Sequence, residues 1–337
     1  MDPLQAFRLD GHVVIVTGAT SGLGVGFARA VAGAGGKVVI AGRRAKRLDE
    51  VERDLAAEGA EVRALRTDIA EPEECTALVD FAVAEFGHVD GLVNNAGVGE
   101  ARSALRETPD QFRRVIDVNL NGTFWMAQAC ARVMRPGASI VNVSSVLGLI
   151  APRFPQASYA ASKAGIIGLT RDLAQQWSRR RGIRVNALCP GYFLTEMTEN
   201  GREQLQENVE RNSMLGRFGA QEELDPALIY LLSKASSYVT GTSLVVDGGM
   251  VALLSPGGTT PRTPRCAPNR RSRLYWARPL RPKEEPPWIS PSARRPRTSW
   301  PPLRSSCGTS CTPPSLSTAT RCAPRASRTS SRRSWKT

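Results

Sequence analysis

The stretch Thr17-Gly18-Ala19-Thr20-Ser21-Gly22-Leu23-Gly24 follows a Val-Val-Ile-Val run and precedes a helical pattern. Glycines at such a place let the backbone turn sharply from a strand into a helix, so that a phosphate can approach the helix N-terminus closely. The spacing G-x-x-x-G-x-G differs from the G-x-G-x-x-G of the longer dinucleotide-binding turns. Because the glycines lie between a valine-rich strand and a helix, the stretch predicts a turn that binds the pyrophosphate of a dinucleotide.

Beyond this turn, short apolar runs alternate with helical stretches as far as about residue 250. Strands separated by helices are typical of βαβ units, and near-continuous Val and Ile runs fit strands buried on both faces. The pattern therefore predicts an α/β fold, a Rossmann-type doubly wound sheet of about seven parallel strands in a single domain. The predicted strands are 13–17, 37–41, 62–67, 91–94, 139–143, 183–188 and 243–247, and the predicted helices are 22–35, 44–58, 72–86, 109–134, 157–180 and 221–233.

The charge of the chain is distributed unevenly between two parts. Residues 1–255 contain 27 Lys and Arg against 29 Asp and Glu, whereas residues 256–337 contain 18 against 2. The first part is predicted to be the folded domain. The second is rich in Pro, Arg, Ser and Thr without apolar periodicity, which predicts a disordered basic tail. Its additional Cys and Trp suggest a frameshift or read-through product; the alternative is a genuine tail that binds nucleic acid or anionic surfaces.

The composition of the first 255 residues argues against several classes of function. With 27 basic and 29 acidic residues, its net charge of −2 gives no reason to expect nucleic acid or a membrane surface as a partner. Its three cysteines, Cys75, Cys130 and Cys189, are far apart, and so are the two histidines, His12 and His88, so no metal site is predicted. No apolar run approaches the ~20 residues that span a bilayer, and no signal peptide is apparent. A cytoplasmic protein is expected.

Tyr159 and Lys163 are one helical turn apart in Ser158-Tyr159-Ala160-Ala161-Ser162-Lys163. Residues at i and i+4 lie on one face of a helix, and an ammonium beside a phenol lowers the pKa of the phenol. The pair therefore predicts an acid/base group that could couple proton transfer to hydride transfer at the dinucleotide turn. The alternative is a surface Tyr beside a solvated Lys.

Further motifs accompany this pair and the glycine turn: Asp68-Ile69, Asn94-Asn95-Ala96-Gly97, Asn119, Ser144-Ser145 and Pro190-Gly191. In this order and spacing, over about residues 7–250, the chain resembles the short-chain dehydrogenase/reductase family. The loop at residues 190–197 is similar to that of the gluconate 5-dehydrogenase-like branch. The resemblance implies an oxidoreductase that transfers a hydride between a nicotinamide dinucleotide and a carbonyl or secondary alcohol.

Four residues carry the chemistry that the resemblance implies. Tyr159 would be the general acid in reduction and the base in oxidation, and Lys163 would lower its pKa and hold the hydroxyls of the nicotinamide ribose. Ser145, the second serine of its pair, would donate a hydrogen bond to the substrate carbonyl oxygen, where negative charge develops. Asn119 would kink its helix and position a water that joins Lys163 to solvent. A structural Asn that satisfies a backbone group is the alternative.

The resemblance also implies a set of cofactor contacts. Asp68 would hydrogen-bond the adenine amino group, with a helix N-cap for the segment beginning at Glu71 as the alternative. Gly191 and Thr195 would contact the nicotinamide carboxamide. The full set is Gly18, Ser21, Gly22, Leu23, Gly24, Arg43, Asp68, Ile69, Asn95, Ala96, Gly97, Tyr159, Lys163, Pro190, Gly191 and Thr195.

The end of the second predicted strand bears on the choice between the two nicotinamide cofactors. An acidic residue there accepts from the ribose 2′-hydroxyl and selects NAD, but this chain has Ala41-Gly42-Arg43-Arg44 without a carboxylate. Arg43 can pair with a 2′-phosphate through a charge-assisted fork, so NADP(H) is predicted to be preferred over NAD(H). The alternative is that Arg43 and Arg44 form the solvated start of the next helix.

The substrate is predicted to lie among the segment after Ser145, the residues before Tyr159 and the loop after Gly191. These stretches are mostly apolar, which is typical of a small-molecule site. The predicted substrate contacts are Ser145, Leu147, Phe154, Tyr159, Tyr192 and Phe193.

Three functions remain open for this site. The first is a carbonyl reductase or alcohol dehydrogenase that acts on a sugar, a sugar acid or a small ketone. The second is a 3-oxoacyl-[acyl-carrier-protein] reductase, whose acidic carrier would need a basic surface that the near-neutral body supports little. The third is a non-catalytic nucleotide-binding regulatory module, against which the four intact catalytic positions argue. The resemblance further implies a homotetramer or homodimer that associates through the helices near 109–134 and 157–180 and the last strand.

Overall fold

Seven parallel strands form the central sheet of the computed structural model, which describes residues 2–151, 154–195 and 202–253. The strands are β1 (Val13–Thr17), β2 (Lys37–Gly42), β3 (Val62–Arg66), β4 (Gly91–Asn94), β5 (Ser139–Val143), β6 (Arg184–Pro190) and β7 (Ser243–Val246). Their order across the sheet is β3-β2-β1-β4-β5-β6-β7, and each neighbouring pair is parallel. The predicted doubly wound α/β fold is therefore confirmed.

Helices connect the strands and cover both faces of the sheet. None of the described helices is long and apolar enough to cross a membrane. The helices are α1 (Leu23–Gly33), α2 (Ala45–Ala57), α3 (Pro72–Phe86), α4 (Pro109–Ile116), α5 (Gly122–Val133), α6 (Ala157–Arg181), α7 (Arg202–Asn212), α8 (Gln221–Leu232) and α9 (Met250–Leu253).

Alternation of side chains along the strands divides the core into two layers. Val13 and Ile15 of β1 belong to a buried cluster with residues of α3, α5 and α6. Val14 and Val16 of the same strand belong to a second cluster with residues of α1, α2 and α8. Successive residues of a strand point to opposite faces, so one continuous apolar strand contributes to both layers.

The strand order reverses between β1 and β4, which lie side by side at the centre of the sheet. In a doubly wound sheet a crevice opens at such a switch point, beyond the carboxyl ends of the strands. The glycine turn follows β1 and residues 95–97 follow β4, so both motifs flank the crevice. The topology thus places the candidate site at the carboxyl edge of the sheet.

The helix predicted over residues 109–134 forms with one irregular turn in its middle. Asp117–Asn121 adopt a π-helical turn between α4 and α5, in which the amide of Gly122 donates to the carbonyl of Asp117. Such turns accommodate an extra residue and recur near functional sites. Asn119 lies within this turn, and its carbonyl accepts the hydroxyl of Thr123 at 2.7 Å. The helix is therefore distorted at the position where the resemblance implied a kink.

Three predictions fall outside the described residues. The disorder of residues 256–337, the domain boundary after residue 255 and the frameshift hypothesis all concern a part of the chain that the structure does not describe. Each of them therefore stays a prediction.

Candidate active site

A cleft of about 1050 Å³ lies at the carboxyl edge of the sheet. It is lined by the glycine turn, the ends of β2 to β6, the start of α6 and the loop after β6. All the predicted catalytic, cofactor and substrate residues line this cleft except Gly24 and Asn119. Residues that line it without having been predicted include Thr20, Gly42, Arg44, Val98, Gly99, Glu100, Ala101 and Leu205.

Close backbone packing explains the glycines of the turn. The φ of Gly18 is +69°, and a Cβ there would lie 2.6 Å from Cα of Ala96 at the end of β4. Gly24 supports the turn from behind, since a Cβ there would lie 2.3 Å from the carbonyl oxygen of Gly18. Gly22, with a φ of +55°, is the N-cap of α1. The turn therefore leaves the N-terminus of α1 open to a pyrophosphate, and the residues present fit a bound dinucleotide.

Thr17 joins the two walls of the cleft beneath the turn. Its Oγ1 accepts the backbone amides of Asn95 at 3.1 Å and Ala96 at 3.2 Å, and its hydroxyl donates to the carbonyl of Val93 at 3.3 Å. Nδ2 of Asn95 donates in return to the carbonyl of Thr17 at 3.0 Å. These bonds hold the end of β4 against the glycine turn, which places residues 95–97 in the cleft wall.

A threonine and an arginine form the edge of the cleft at the end of β2. A Cβ at Gly42 would lie 2.7 Å from Cγ2 of Thr20, so Thr20 fills the space that a larger side chain would need. Arg44 donates from Nε and Nη2 to Oγ1 of Thr20 at 3.1 and 2.9 Å, and from Nη2 to Oγ of Ser21 at 2.6 Å. Arg44 was missed as a site residue, although the hydroxyls opposite an Arg-Arg pair are a signal that could have found it.

Asp68 lies opposite Arg43 at the end of β3, and both line the cleft. Oδ2 of Asp68 is 3.7 Å from Nη1 of Arg43, and Oδ1 accepts the amide of Ala70 at 3.2 Å. The N-cap of α3 is Glu71, so the helix-cap alternative for Asp68 is wrong. The physical reason is that its carboxylate closes a short turn before the helix begins. The contact of Asp68 with an adenine stays a prediction.

Tyr159, Lys163 and Ser145 come together where β5 ends and α6 begins. Lys163 is 4% exposed, and its Nζ donates to the carbonyl of Val143 at 2.8 Å and lies 5.5 Å from the centre of the Tyr159 ring. The hydroxyl of Ser144 donates to the carbonyl of Lys163 at 2.8 Å, whereas Oγ of Ser145 accepts the amide of Leu147 at 3.1 Å, and Ser145 acts to lower the pKa of Tyr159. This division of roles supports the choice of Ser145 over Ser144.

Burial dominates the electrostatics of this cluster. It raises the pKa of Tyr159 to about 12, although the hydrogen bond with Ser145 acts in the opposite direction. It lowers the pKa of Lys163 to about 8, because the enclosed ammonium loses its hydration. The predicted lowering of the pKa of Tyr159 is therefore wrong in its net direction. The ammonium is directed at the carbonyl of Val143, and the desolvation of the phenol outweighs the attraction of a cation at this distance.

Asn119 lies behind the cleft wall. Its Oδ1 accepts the amide of Val98 at 2.8 Å, and its Nδ2 donates to the carbonyl of Val98 at 2.9 Å and to Oγ of Ser162 at 3.0 Å. The side chain thus pairs with a backbone amide and carbonyl, which supports the structural alternative for this residue. Gly97 lies between Asn119 and Lys163, since a Cβ there would be 3.4 Å from Oδ1 and 3.6 Å from Nζ. The water-positioning role stays a prediction.

Apolar side chains line one wall at the substrate end of the cleft. Leu147 and Phe193 are buried, and Phe154 and Tyr192 are partly buried. The ring of Phe193 packs against Gly219, where a Cβ would lie 2.4 Å from the ring. Leu147 and Tyr192 pack in one cluster with Tyr159, whereas Phe193 belongs to the core cluster of β1 and α1, and all of these residues line the cleft.

The opposite wall consists of residues 98–101, which were not predicted from the sequence. Gly99 faces the phenol directly, because a Cβ there would lie 2.6 Å from Cδ2 of Tyr159. Gln156 lines the same end of the cleft. In the sequence, only the position of residues 98–101 directly after residues 94–97 indicates that they belong to the site. Their contact with α6 depends on the tertiary structure.

The strand order, the glycine-lined cleft and the cluster of partly buried Tyr159 with buried Lys163 and Ser145 define a dinucleotide-dependent oxidoreductase. A family model described as enoyl-(acyl carrier protein) reductase matches residues 18–251. With the relatives below, this match shows that the chain belongs to the short-chain dehydrogenase/reductase family. The protein is therefore an oxidoreductase of a family that uses NAD(H) or NADP(H).

About three quarters of this chain matches relatives almost end to end. The galactitol 2-dehydrogenase (L-tagatose-forming) of Cereibacter sphaeroides is 42% identical over 256 residues, which are 74% of this chain and 98% of that protein. The 3-oxoacyl-[acyl-carrier-protein] reductase FabG of Thermotoga maritima is 37% identical, over 72% of this chain and 99% of that protein. The crystal structure of a gluconate 5-dehydrogenase from Burkholderia cenocepacia, in complex with NADP and tartrate, matches with a TM-score of 0.70 and 35% identity. That match covers 74% of this chain and 98% of the other.

Proposed function

We propose that the protein catalyses reversible hydride transfer between NADP(H) and a carbonyl compound or its secondary alcohol, with Tyr159 as the general acid and base. The observation that carries the proposal is the enclosed cluster of Tyr159, Lys163 and Ser145 beside a cleft whose glycines admit a dinucleotide. Hydroxyl donors in a buried corner stabilise a carbonyl oxygen as it gains negative charge. The cofactor, when bound, supplies the hydride.

In the reducing direction, Tyr159 holds the proton that the alcohol product needs. Burial raises the pKa of Tyr159 to about 12, which keeps the phenol protonated at neutral pH. Its hydroxyl donates to the carbonyl oxygen of the substrate and transfers the proton as the oxygen becomes negative. Ser145 donates a second hydrogen bond to the same oxygen, and Lys163 favours the phenolate that remains.

In the oxidising direction, Tyr159 must first lose its proton, which burial opposes. Lys163 has to offset part of this penalty before the phenolate can accept the proton of an alcohol. Oxidation is therefore expected to speed up as the pH rises to about 8, above which Lys163 loses its proton, whereas reduction is expected to proceed at neutral pH.

The preference for NADP(H) is supported by the edge of the cleft at the end of β2. Thr20 fills the space in which an acidic side chain at position 42 would stand, and the guanidinium groups of Arg43 and Arg44 line the cleft beside it. A dianionic 2′-phosphate is recognised by such groups through charge-assisted hydrogen bonds. The neutral 2′-hydroxyl of NAD(H) would gain less from them.

Charge-reversal variants test this preference. In Arg43→Asp and Arg44→Asp we expect kcat/KM with NADPH to fall by about 10- to 100-fold, while kcat/KM with NADH stays unchanged or rises. Arg47→Asp is the matched control, because Arg47 lies on the exposed surface of α2 and pairs with Glu50. An unchanged ratio of the two cofactors in both cleft variants would contradict the proposal.

We infer that the substrate is a sugar, a sugar acid or a small ketone. The names of the galactitol and gluconate dehydrogenases support this class, as does the polar residue Gln156 among those that line the cleft. A 3-oxoacyl-[acyl-carrier-protein] reductase is the second candidate, supported by the similarity to FabG.

The test is the absorbance of reduced nicotinamide with NADPH or NADH and a panel of keto-sugars, keto acids, small ketones and 3-oxoacyl thioesters. We expect oxidation of NADPH with a keto-sugar or keto acid, reduced by about 10²- to 10⁴-fold in Tyr159→Phe. Turnover confined to the thioesters would favour the second candidate. NADPH binding without any turnover would favour a nucleotide-binding module, and full activity in Tyr159→Phe would contradict the mechanism.

We further propose that residues 1–255 are the folded domain. We also propose that this domain assembles as a homotetramer or homodimer. Support comes from β7, which is an edge strand of the sheet and is only partly buried in the described part of the chain. Light scattering on the full chain and on residues 1–255 should give the same assembly of two or four subunits. A monomer in both cases would contradict the proposed assembly.

A further inference from the structure

The first turn of α6 carries Tyr159 but has little local support. α6 is 25 residues long and begins at Ala157, so Tyr159 is its third residue. The N-cap residue Gln156 makes no side-chain capping hydrogen bond, and the first turn contains no acidic residue. The unpaired amides and the positive end of the helix dipole at such a terminus favour fraying unless another group compensates them.

A carboxylate from a distant part of the chain reaches this turn. The hydroxyl of Ser158 donates to Oε1 of Glu107 at 2.5 Å, although the two residues are 51 positions apart. Ser158 is 2% exposed, and Glu107 is partly buried. A hydrogen bond to an ionised carboxylate is stronger than one between neutral groups, and a negative charge near a helix N-terminus is stabilising.

Glu107 is itself held firmly. Its amide donates to the carbonyl of Ser103 at 3.1 Å, and the next residue, Thr108, is the N-cap of α4. Thr108 and Gln111 form a complete capping box, with side-chain to backbone distances of 3.3 and 3.0 Å. The carboxylate therefore extends from the capped end of a helix and not from an unsupported loop.

The same segment contacts the chain on the other side of Tyr159. The amide of Arg102 donates to the carbonyl of Pro155 at 2.7 Å, and Gly99 lies against the Tyr159 ring. Residues 99–107 thus contact Pro155, Ser158 and Tyr159, which lie at or just before the start of α6. Of these contacts, the Glu107–Ser158 bond is the one made by an ionised side chain.

We propose that Glu107 is a positioning residue for Tyr159: its carboxylate anchors Ser158 and so fixes the uncapped turn that carries the phenol. This role rests on the proposed function, in which Tyr159 must meet the substrate oxygen within hydrogen-bond distance. Glu107 does not line the cleft and touches neither substrate nor cofactor in this scheme.

The test is a double-mutant cycle of Glu107→Ala and Ser158→Ala on the full chain. Each single variant is expected to lower kcat about tenfold while KM for NADPH stays unchanged, and the double variant is expected to be no slower than either single one. Amide hydrogen exchange at residues 160 and 161, the first amides of α6 with an intrahelical acceptor, should become faster by a similar factor in all three. Glu107→Gln keeps an acceptor and should recover most of kcat and of the exchange protection.

Asp172→Ala is the matched control, because Asp172 accepts from Gln176 on the exposed surface of the same helix, three turns away from the cluster. It should change neither kcat nor exchange at residues 160 and 161. The proposal is overturned if both single variants match the wild type in kcat and exchange, or if their effects on kcat multiply in the double variant. A wild-type protein without turnover would sink the proposed function alone, since the exchange rates still decide whether Glu107 anchors the turn.

Discussion

Two buried cations, Lys163 and Arg184, lie at opposite edges of the same sheet and are used in different ways. Lys163 is 4% exposed at the carboxyl edge, and Arg184 is 9% exposed at the start of β6. Burial lowers the pKa of both groups. Lys163 makes one hydrogen bond, to Val143, among the described residues. Arg184 donates to the carbonyls of Leu231, Leu232 and Ser233 and to the hydroxyl of Ser236.

The difference between the two cations separates a functional charge from a structural one. Arg184 places its donors on the last carbonyls of α8, which have no intrahelical partners, and its charge compensates the negative end of that helix. Burial also desolvates the ammonium of Lys163, but only one of its N–H donors is used among the described residues. The others are available to a ligand. A buried cation whose hydrogen-bonding capacity is largely unused is therefore expected to serve binding or catalysis.

The largest effect is expected for Lys163→Met. We expect kcat/KM to fall by about 10³-fold, because the phenolate of Tyr159 loses its nearest cation. The free energy of unfolding should change by less than about 1 kcal/mol, or increase, since an apolar residue replaces a desolvated charge. Steady-state kinetics and urea unfolding measure the two quantities. If the kcat/KM of Lys163→Met stayed within tenfold of the wild-type value, Lys163 would not be a functional cation.

Arg184→Met is expected to show the opposite profile. The free energy of unfolding should fall by about 3 kcal/mol, because the carbonyl of Leu232 loses its donor and the end of α8 loses a compensating charge. The carbonyls of Leu231 and Ser233 keep hydrogen bonds from Ser139 and Ser236. The kcat/KM of the folded protein should stay within about twofold of the wild type, since Arg184 does not line the cleft. Arg184→Lys, which retains the charge but fewer donors, should recover part of the stability. A loss below about 1 kcal/mol would show that Arg184 is not the support of this helix end.

The pH dependence of stability sharpens the comparison at Lys163. Burial lowers the pKa of Lys163 to about 8 in the folded protein, whereas an unfolded Lys titrates near pH ~10.4. Between these values Lys163 binds more protons in the unfolded chain than in the folded one. The free energy of unfolding of the wild type should therefore rise by about 2 kcal/mol relative to that of Lys163→Met from about pH 8 to about pH 10. Both proteins lose stability over this range through Cys75, Cys130 and Cys189, because burial raises the pKa of each thiol. Urea unfolding of the two proteins at matched pH values measures the difference, and a constant difference would contradict the assignment to Lys163.

Tyr159 makes a contribution of the opposite sign above about pH 10. Burial raises the pKa of Tyr159 to about 12, so the folded phenol keeps a proton that the unfolded phenol releases near pH ~10. Stability should therefore decline from about pH 10 upward. A decline of the same size in Tyr159→Phe would assign it to other groups.

The smallest effect is expected for an exposed cation. Arg29 pairs with Glu58 at 2.8 Å, and both side chains are about half exposed. Arg29→Ala should change the melting temperature by less than about 2 °C and leave kcat/KM unchanged, because solvent screens such a pair. If differential scanning calorimetry showed a larger fall in melting temperature, solvent exposure would not explain the difference between Arg29 and Arg184.

The sheet and the glycine turn could be predicted because their signals are local. A run such as residues 13–17 indicates a doubly buried strand by its own composition, and the alternation of strands with helices indicates parallel pairing. Most residues of the site follow the carboxyl ends of these strands, so predicting the strands also placed the residues of the cleft. Arg44, the wall at residues 98–101 and Glu107 were missed, because each acts through a partner that is distant in the sequence.

By itself, the sequence determined the α/β class, the turn at residues 17–24 and the placement of Tyr159 and Lys163 on one face of α6, since each depends on neighbours within a few residues. Only the tertiary structure decided that burial raises the pKa of Tyr159 and lowers the pKa of Lys163. It alone also brought Glu107 to Ser158. The physical reason is that desolvation and long-range hydrogen bonds depend on atoms from several segments, which come together only when the chain folds.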